Sequence, residues 1–586
     1  MTWIRVLTFA LALVTTGAAA QTPAVAPNID GLWAARMRYG LDVRGPLLIE
    51  RREGRLVAEI AGRQMQAREV SGEVLLELPN GAGSFRGRFT RRGAAIVGHW
   101  IQPRTMAAGM AFASPVTLSR LRANAWQGEV APLDDAMTMF LLINTDETGV
   151  MRAYLRNPER NVGVFQRIDR IERNGNQLTM VGRFRGRGEE QVFARAEYDH
   201  NNDLIPFHFP QFGVTMDFAQ ASPEDERVFY PRGASPASYV YTPPPSLDDG
   251  WRTGALEEVG IDAAQVGALI ERIAQEPQTD LAAPQVHALL IARHGRLVLE
   301  EYFHGVGRHT AHDTRSASKS MGAVLAGAAM RNGAAFSPES RVVESVDAPL
   351  LPSSIDPRLA AMRVEHLLTM SPGFDCDDDD DTSPGNEDAM QEQRREPNWW
   401  RFGLAVPMAR DPGERAVYCS MNPMLAGAVV SHATGRWLPD VFAEQVAAPL
   451  DIDRYYLNLT PTGDWYLGGG ARFELRDFMK MGQLVLDGGV WNGRRVLDRA
   501  YVERMTASLV ELQQRGYGYY WWSQNLPYRG GDVRVVYAAG NGGQIVMAVP
   551  ELDLVIAFYS GDYGHAAALT AQRVYIPEYI LPAVIR

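Results

Sequence analysis

A serine and a lysine three positions apart, Ser316 and Lys319, open an apolar segment whose pattern predicts a helix. Side chains at positions i and i+3 of a helix lie on the same side, so the Lys319 amine can reach the Ser316 hydroxyl. A neighbouring base activates a hydroxyl as a nucleophile, and a helix N-terminus stabilises the negative charge that develops on its oxygen. The pair therefore predicts nucleophilic catalysis by Ser316.

Lysine is rare in this chain, which makes the pair informative. Lys319 and Lys480 are the two lysines of the sequence, and arginine supplies nearly all of the positive charge. The helix after Lys319 is predicted from an apolar stripe at helical spacing, and Gly333 ends it. This stripe consists of Met321, Val324, Leu325 and Ala328. In the alternative interpretation, Ser316 only caps the helix and Lys319 is a solvated side chain.

Two further motifs say little when each is taken alone. The residues Tyr-Cys-Ser at 418–420 follow a turn and precede an apolar helical run, where most tyrosines are packing residues. The glycine-rich segment 540–544 directly precedes a predicted strand. Its glycines, Gly543 among them, allow the backbone to approach a ligand. A plain hairpin loop is the alternative for that segment.

In their order along the chain, these three motifs resemble those of the penicillin-binding-protein and class C β-lactamase superfamily of serine hydrolases. The resemblance extends from Trp251 to the C-terminus, and it includes the connecting stretches 366–373 and 468–470. It implies that residues 251–586 form an α/β domain. In that domain an antiparallel sheet with flanking helices is joined to a helical subdomain.

The resemblance also implies a two-step acyl transfer that needs neither a metal ion nor another cofactor. Ser316 attacks a carbonyl carbon, while Lys319 and Tyr418 share the transfer of its proton. The backbone N–H groups of Ser316 and Gln544 form the oxyanion hole. Water then hydrolyses the acyl-enzyme.

Two departures from the superfamily pattern narrow the substrate. β-Lactamases and D,D-peptidases of this kind carry Lys-Thr-Gly on the edge strand, and its cation helps to bind the substrate carboxylate. Here Asn541 takes that position, and it cannot supply the charge. Ser420 replaces the asparagine of the tyrosine motif, and Asn422 follows two residues later. Ser420, Asn541 and Gly543 are the candidate substrate-binding residues.

Esterases and small-amide hydrolases of the superfamily, such as the 6-aminohexanoate-dimer hydrolases, tolerate such changes. We therefore expect hydrolysis of an ester or amide of a small molecule. One alternative is a β-lactamase or D,D-carboxypeptidase. Another is a non-catalytic scaffold whose β-rich N-terminal half binds a ligand. The sequence predicts no oligomeric state.

An acidic run at 377–381 continues to Glu387 and Asp388. It lacks the glycine that the sixth position of an EF-hand loop requires, so a solvated loop is favoured over a calcium site. The cysteines beside this run, Cys376 and Cys419, are the two of the chain, and they form a disulfide or remain small buried thiols.

Tryptophan pairs at 399–400 and 521–522 either line a cleft or lie in the core, and the core is the commoner place for such clusters.

Strands and helices that would position these motifs are predicted at both ends of the domain. Asp262 caps a helix, and two strands, 287–293 and 296–302, follow it as a hairpin. A second strand pair, 544–549 and 554–559, precedes a largely helical tail. A first and a last helix packed on one antiparallel sheet give an α/β arrangement.

Residues 28–240 have a different pattern, with short alternating runs bounded by Gly, Asn and Asp. This pattern predicts an all-β barrel or sandwich, either as one domain or as two units divided near residue 122. The Gly-x-Trp near its start is similar to that of lipocalin-like barrels. A proline-rich stretch at 241–250 predicts a stiff linker to the next domain.

The first 20 residues have the pattern of a signal peptide, because Arg5 precedes an apolar stretch and three alanines end it. We expect an exported protein, periplasmic or extracellular, that starts near Gln21. No segment is long and apolar enough to predict a membrane span. The net charge of -11 gives no indication of a nucleic-acid partner. The small-molecule ester or amide that the resemblance implies is the expected ligand.

Overall fold

The computed structural model describes residues 28–39, 43–104 and 109–585, and the predicted signal peptide lies outside these residues. Within them the chain forms a β-rich N-terminal half and an α/β domain. The N-terminal strands, in chain order, are β1 (Gly31–Arg38), β2 (Gly45–Arg52), β3 (Arg55–Ile60), β4 (Arg63–Val70), β5 (Glu73–Glu77), β6 (Ser84–Phe89), β7 (Ala95–Gln102), β8 (Ala111–Arg122), β9 (Ala125–Val130), β10 (Ala136–Thr145), β11 (Met151–Arg156), β12 (Gln166–Asn174), β13 (Gln177–Phe184), β14 (Gln191–Glu197), β15 (Leu204–Phe209) and β16 (Val214–Gln220).

One closed barrel is built from β1 and β10–β16, and it closes where Trp33 of β1 pairs with Gln220 of β16. Alternate residues of these strands point inward and fill the barrel with apolar side chains, among them Trp33, Leu141 and Phe207. The prediction of an all-β barrel-like region is confirmed.

A second barrel, β2–β9, is inserted between the first and second strands of the first barrel. It closes where β2 pairs with β9, Ile49 lying opposite Trp126. The predicted division near residue 122 is wrong, because Arg122 ends β8 and the next strand of the same barrel begins at Ala125. Sequence reasoning missed the insertion because both barrels consist of similar short antiparallel strands.

The α/β domain contains the remaining strands and most of the helices. Its strands are β17 (Arg252–Thr253), β18 (Val286–Arg293), β19 (Arg296–Tyr302), β20 (His312–Asp313), β21 (Tyr455–Leu459), β22 (Arg472–Phe473), β23 (Val490–Trp491), β24 (Arg494–Arg495), β25 (Val510–Leu512), β26 (Arg515–Tyr517), β27 (Trp522–Tyr528), β28 (Gly531–Gly540), β29 (Gln544–Val549) and β30 (Leu554–Ser560). The α-helices of the whole chain are α1 (Val162–Phe165), α2 (Pro223–Phe229), α3 (Ala263–Ala274), α4 (Ser318–Arg331), α5 (Pro357–Ala361), α6 (Val364–Leu368), α7 (Glu387–Glu392), α8 (Trp399–Leu404), α9 (Met421–Thr434), α10 (Leu438–Phe442), α11 (Leu475–Leu486), α12 (Arg499–Met505) and α13 (Leu581–Ala583).

The main sheet has the strand order β17-β19-β18-β30-β29-β28-β27-β26-β25, and its pairs are antiparallel except for β17 with β19. Helix α3, capped by Asp262, contacts the π-helical segment Ala571–Ile580, which confirms the predicted pairing of the two ends of the chain. Helix α11 packs on β29 and β30, while α4 and α9 pack against each other beside the sheet. This is the predicted α/β class.

The barrels are attached to the α/β domain through a continuous sheet and through the linker. Leu457 of β21 pairs with Ala113 of β8, so the inserted barrel extends into the α/β domain. In the linker, Asp249 accepts a hydrogen bond of 2.6 Å from Arg476, which is buried and also contacts Glu300. None of the helices in the described ranges has the length and apolar character needed to cross a membrane.

Candidate active site

Ser316 and Lys319 are held together at the start of helix α4. Ser316 lies in the 3-10 turn Arg315–Ala317, and the helix begins at the next residue. The Lys319 Nζ donates a hydrogen bond of 2.9 Å to the Ser316 Oγ, and it also donates one to the carbonyl oxygen of Gly468. Because Lys319 is only 1% exposed, its amine is directed to these two oxygens and not to solvent.

The backbone before Ser316 adopts an unusual conformation that glycines on both sides accommodate. Arg315 has a φ of 48°, in the left-handed region, and its N–H is fixed by the Asp313 carboxylate at 2.9 Å. A Cβ at Gly540 would lie 2.4 Å from the Thr314 carbonyl oxygen, and one at Gly469 would lie 3.4 Å from the Ser316 nitrogen. The two glycine segments therefore form the walls beside Ser316.

The ring of Tyr418 lies next to the Lys319 amine. The centre of its ring is 4.9 Å from the Lys319 Nζ, and the ring stacks on Trp522 with 6.0 Å between centroids. Burial on its own lowers the pKa of Lys319, but Tyr418 and the carboxylates of Glu387 and Asp378 outweigh it and raise this pKa above its ordinary value. Lys319 is therefore a charged ammonium at neutral pH.

The tyrosine motif is fixed by Asp378, which belongs to the acidic run. The Asp378 carboxylate accepts hydrogen bonds from the Ser420 N–H at 2.7 Å and the Ser420 hydroxyl at 2.6 Å. The Asp378 N–H donates to the Tyr418 carbonyl at 3.0 Å. Ser420 is a predicted substrate-binding residue, but it is 0% exposed, and its hydrogen bonds orient Asp378 behind the site.

A disulfide joins Cys376 to Cys419, with 5.8 Å between the Cα atoms. It links the segment that carries Asp378 to the segment that carries Tyr418. These two sulfurs and the Asp378 carboxylate are within 4.8 Å of one another, the one such group of potential metal ligands found in the described residues. Bonded sulfurs are not thiolates, so this group does not form a metal site.

A second carboxylate of the acidic run, Glu387, also faces the site. It lies at the start of α7 and accepts a hydrogen bond from the Tyr466 hydroxyl. The expectation of a solvated loop holds for the exposed residues Asp379–Asp381 but is wrong for Asp378 and Glu387. Nothing in the spacing of a run of like residues indicates which members turn inward, so sequence reasoning missed these two.

The glycine-rich segment forms the turn between β28 and β29. Asn541 is exposed, and its Oδ1 accepts a hydrogen bond of 2.8 Å from the Gly564 N–H. Gly543 has a φ of 91°, and a Cβ there would lie 2.9 Å from the Ser560 side chain. Gln544 is buried, and its side chain bonds the Ser560 backbone.

Two cavities meet at Ser316, and Asn541 lines both of them. The first, which we call the charged cavity, has a volume of about 290 Å³. Its charged lining residues are Glu159, Arg160, Asp313, Arg315, Glu387 and Arg472. The second, the aromatic cavity, has a volume of about 380 Å³ and includes Tyr418 and Trp522 in its wall. All four tryptophans of the two pairs belong to the buried core, as the favoured interpretation expected, and Trp522 also reaches the cavity wall.

The sequence pattern of the beta-lactamase family matches residues 271–576, more than half of the chain. The protein therefore belongs to the beta-lactamase family, as the motifs predicted. A 6-aminohexanoate-dimer hydrolase of Paenarthrobacter ureafaciens is 27% identical over 291 residues, which are 46% of this chain and 71% of that protein.

Three solved structures illustrate the similarity. A putative 6-aminohexanoate-dimer hydrolase from Bacillus anthracis is 17% identical over 49% of this chain and 76% of its own, with a TM-score of 0.41. A family VIII carboxylesterase is 16% identical over 54% and 94%, with a TM-score of 0.42. A penicillin-binding-protein homologue from Caulobacter crescentus is 15% identical over 52% and 92%, with a TM-score of 0.42.

Proposed function

We propose that the protein is an exported serine hydrolase that cleaves an ester or amide of a small molecule through an acyl-enzyme. The observation that carries this proposal is the 2.9 Å contact between Lys319 Nζ and Ser316 Oγ at the point where two cavities meet. A hydroxyl in this position can attack a carbonyl carbon whose two substituents occupy one cavity each.

Acylation begins when the Ser316 Oγ forms a bond to the carbonyl carbon. Lys319 donates a hydrogen bond to this oxygen, so the serine proton leaves in another direction, and the proposed base that accepts it is Tyr418 as the phenolate, with the Lys319 ammonium as its counter-charge. The positive charge of Lys319 stabilises the negative charge that develops. When the tetrahedral intermediate breaks down, the bond to the leaving oxygen or nitrogen breaks and that atom takes the proton from Tyr418.

Deacylation repeats these steps with water. A water molecule gives a proton to Tyr418 and adds to the acyl carbon, and the Ser316 oxygen then leaves as the hydroxyl. The N–H groups of Ser316 and Gln544 remain the proposed donors to the oxyanion. Removing one donor of this kind raises the barrier by about 3 kcal/mol.

The choice of an ester or amide over a penicillin rests on the position of the lysines. Lys480 is 0% exposed and donates to Asp477 at 2.6 Å, and Lys319 is engaged with Ser316. Neither lysine is available to bind a substrate carboxylate in the manner of the Lys-Thr-Gly lysine. The small-amide activity in the name of the Paenarthrobacter ureafaciens relative supports the same choice.

Export is supported by the pattern of the first 20 residues and by the Cys376–Cys419 disulfide, since such bonds persist in oxidising compartments. To test it, the full chain would be expressed in a Gram-negative host and the periplasmic protein sequenced from its N-terminus. We expect a start near Gln21. Uncleaved protein found only in the cytosol would contradict export.

The enzymatic proposal is tested with a fluorophosphonate probe and a series of p-nitrophenyl esters. We expect the probe to label the wild-type protein, and we expect labelling and ester hydrolysis to be lost in Ser316→Ala. A folded wild-type protein that is not labelled would favour a non-catalytic scaffold. Nitrocefin hydrolysis as fast as that of the esters would favour a β-lactamase.

A further inference from the structure

We propose that Arg160, Arg315 and Arg472 form a binding site for a carboxylate group of the substrate in the charged cavity. This inference rests on the proposed function and deepens it. Arg160 lies in the loop before α1, in the first barrel, whereas the other two arginines belong to the α/β domain. The first barrel therefore contributes a specificity-determining residue to a site that the catalytic motifs alone do not complete.

All three arginines line the same cavity as Ser316. Arg315 directly precedes the nucleophile, and its guanidinium lies 4.7 Å from the centre of the Tyr563 ring. Arg472, on β22, lies 5.9 Å from the centre of the Phe112 ring of the inserted barrel. Both barrels thus form part of the wall opposite the catalytic domain.

Three carboxylates line the cavity with the three arginines, and in the described residues Asp313 is the one that forms ion pairs with them. Asp313 forms ion pairs with Arg315 at 3.2 Å and, more weakly, with Arg472 at 4.0 Å. Burial raises the pKa of Asp313, but Arg315 and Arg472 outweigh it and hold that pKa below its ordinary value, so Asp313 is ionised. One carboxylate is therefore shared between two guanidinium groups.

Arg160 is the most exposed of the three, so its guanidinium is accessible to a ligand in the cavity. Its guanidinium forms no hydrogen bond or ion pair within the described ranges, and the buried Nε of Arg472 likewise has no hydrogen-bond partner there. Burial, followed by repulsion from Arg472 and Arg315, lowers the pKa of Arg160, while Asp313 and Asp135 oppose this. An anion placed among the three would relieve their repulsion, supply an acceptor for the Arg472 Nε and replace water at the exposed Arg160 guanidinium.

The other two carboxylates of the cavity accept hydrogen bonds from other groups, although Glu159 still interacts electrostatically with Arg472, and Glu387 with Arg315. Glu159 accepts hydrogen bonds from the Thr138 N–H at 3.1 Å and from the Asn157 amide at 2.8 Å, and burial raises its pKa. Glu387 accepts from the Tyr466 hydroxyl. Neither is bonded to Arg160, so the cluster keeps room for an external carboxylate.

Arginine suits this ligand because its planar fork can bind both oxygens of a carboxylate. The aromatic cavity contains a single arginine, Arg515, together with Asp379, so it offers no comparable group of guanidinium donors. The substrate predicted by this site carries a carboxylate on one side of the scissile carbonyl.

The test compares each carboxylate substrate with its neutral carboxamide. For the acyl side, p-nitrophenyl hydrogen adipate is compared with the p-nitrophenyl ester of its monoamide. For the leaving-group side, 4-acetoxybenzoate is compared with 4-acetoxybenzamide. We expect the wild-type enzyme to prefer the carboxylate in one pair by about tenfold or more in kcat/KM, and we expect salt to reduce this preference.

In Arg160→Gln we expect the ratio of carboxylate to carboxamide kcat/KM to fall several-fold, mainly through KM, and Arg160→Lys should restore part of it. Arg36→Gln is the matched control, because Arg36 is an exposed arginine of the same barrel that pairs with Asp225 at 2.9 Å. Equal turnover within both pairs by the wild type would overturn the inference, as would an unchanged ratio in Arg160→Gln.

A binding measurement separates this inference from the proposed function. Calorimetric titration of Ser316→Ala with 4-acetoxybenzoate and with hydrogen adipate needs no turnover. We expect binding of at least one of these anions, weakened several-fold when Arg160→Gln is added. If this holds while the wild type hydrolyses nothing, the carboxylate site stands and the hydrolase proposal fails. If neither anion binds and neutral esters are hydrolysed, the carboxylate site is wrong.

Discussion

The two cavities that meet at Ser316 differ in their chemistry. The charged cavity is closed by residues of both barrels and by Glu387, whereas the aromatic cavity is formed by the α/β domain alone, with Tyr418 and Trp522 in its wall. Ser316 therefore lines both cavities, but the other residues that line them have different chemistry. The difference fits the proposals made above, in which the α/β domain supplies the reaction and one apolar subsite while the barrels supply selection for a charged group.

The strongest test of this comparison is the loss of the shared nucleophile. Ser316→Ala should lower kcat/KM for every ester by about 10⁴-fold or more, because acyl transfer has no substitute for the attacking oxygen. Ser353→Ala, at an exposed position, is the control and should not change the rate. Residual hydrolysis within tenfold of the wild type would mean that the two cavities do not flank a reaction centre at Ser316.

Tyr418→Phe tests the proton route on the aromatic side. We expect about a 10³-fold decrease in kcat with little change in the thermal midpoint, because the ring still stacks on Trp522 while the hydroxyl is lost. Tyr154→Phe, in the first barrel, is the matched control. If kcat remained near normal, Lys319 alone would have to move the serine proton.

The motifs of the α/β domain could be predicted from the sequence because each is a local pattern with a physical role. The i, i+3 spacing of Ser316 and Lys319 predicted their contact, and the strand pairs around 290 and 550 followed from alternation and turn residues. These elements are formed by residues that are close together in the sequence, so local sequence patterns are sufficient to predict them.

The charged cavity could not be predicted in this way. Arg160 is separated from Ser316 by more than a hundred residues. The two residues line one cavity only because the two barrels pack against the α/β domain. Asp378 and Glu387 lie in a run of acidic residues in which nothing distinguishes the buried members from the exposed ones. The insertion of one barrel into the other was also hidden, because strand partners distant in sequence leave no local pattern.

The disulfide connects the walls of the two cavities, since the segment after Cys376 leads to Glu387 and Cys419 follows Tyr418. Its sequence separation of 43 residues predicts a loss of about 4 kcal/mol in the free energy of unfolding when both cysteines are replaced by serine. Urea titration of Cys376→Ser/Cys419→Ser, compared with the wild type under reducing and oxidising conditions, measures this loss.

We expect the reduced wild type to approach the stability of the double variant. A double variant as stable as the oxidised wild type would show that the contacts of Asp378 with Ser420 and Tyr418 hold these segments together without the covalent bond.

Asp562 supports the turn that separates the cavities, because its N–H donates to the Gly542 carbonyl at 3.1 Å. Burial raises the pKa of its carboxyl to about 7, against the opposing effect of the Gln285 N–H and Arg156. The folded protein therefore binds a proton that the unfolded chain releases, and stability falls as the pH rises from about 4 to 7. We expect a loss of about 2 kcal/mol between pH 5 and 7.

Asp562→Asn should remove most of this slope, because the amide keeps an acceptor for the Gln285 N–H but does not titrate. Chemical denaturation at several pH values measures the effect, and Asp532→Asn, at an exposed site, should keep the wild-type slope. An unchanged slope in Asp562→Asn would assign the pH dependence to another buried group.

The smallest expected effect concerns the apolar side of the comparison. Leu569 lines the aromatic cavity, and Leu569→Ala should reduce the gain in kcat/KM with acyl chain length, by about five- to tenfold for a hexanoyl ester relative to an acetyl ester. Leu247→Ala, at an exposed linker position, serves as the control. If chain length responded instead to Arg160→Gln, the apolar group would occupy the charged cavity, and the proposed division into a charged and an apolar subsite would be wrong.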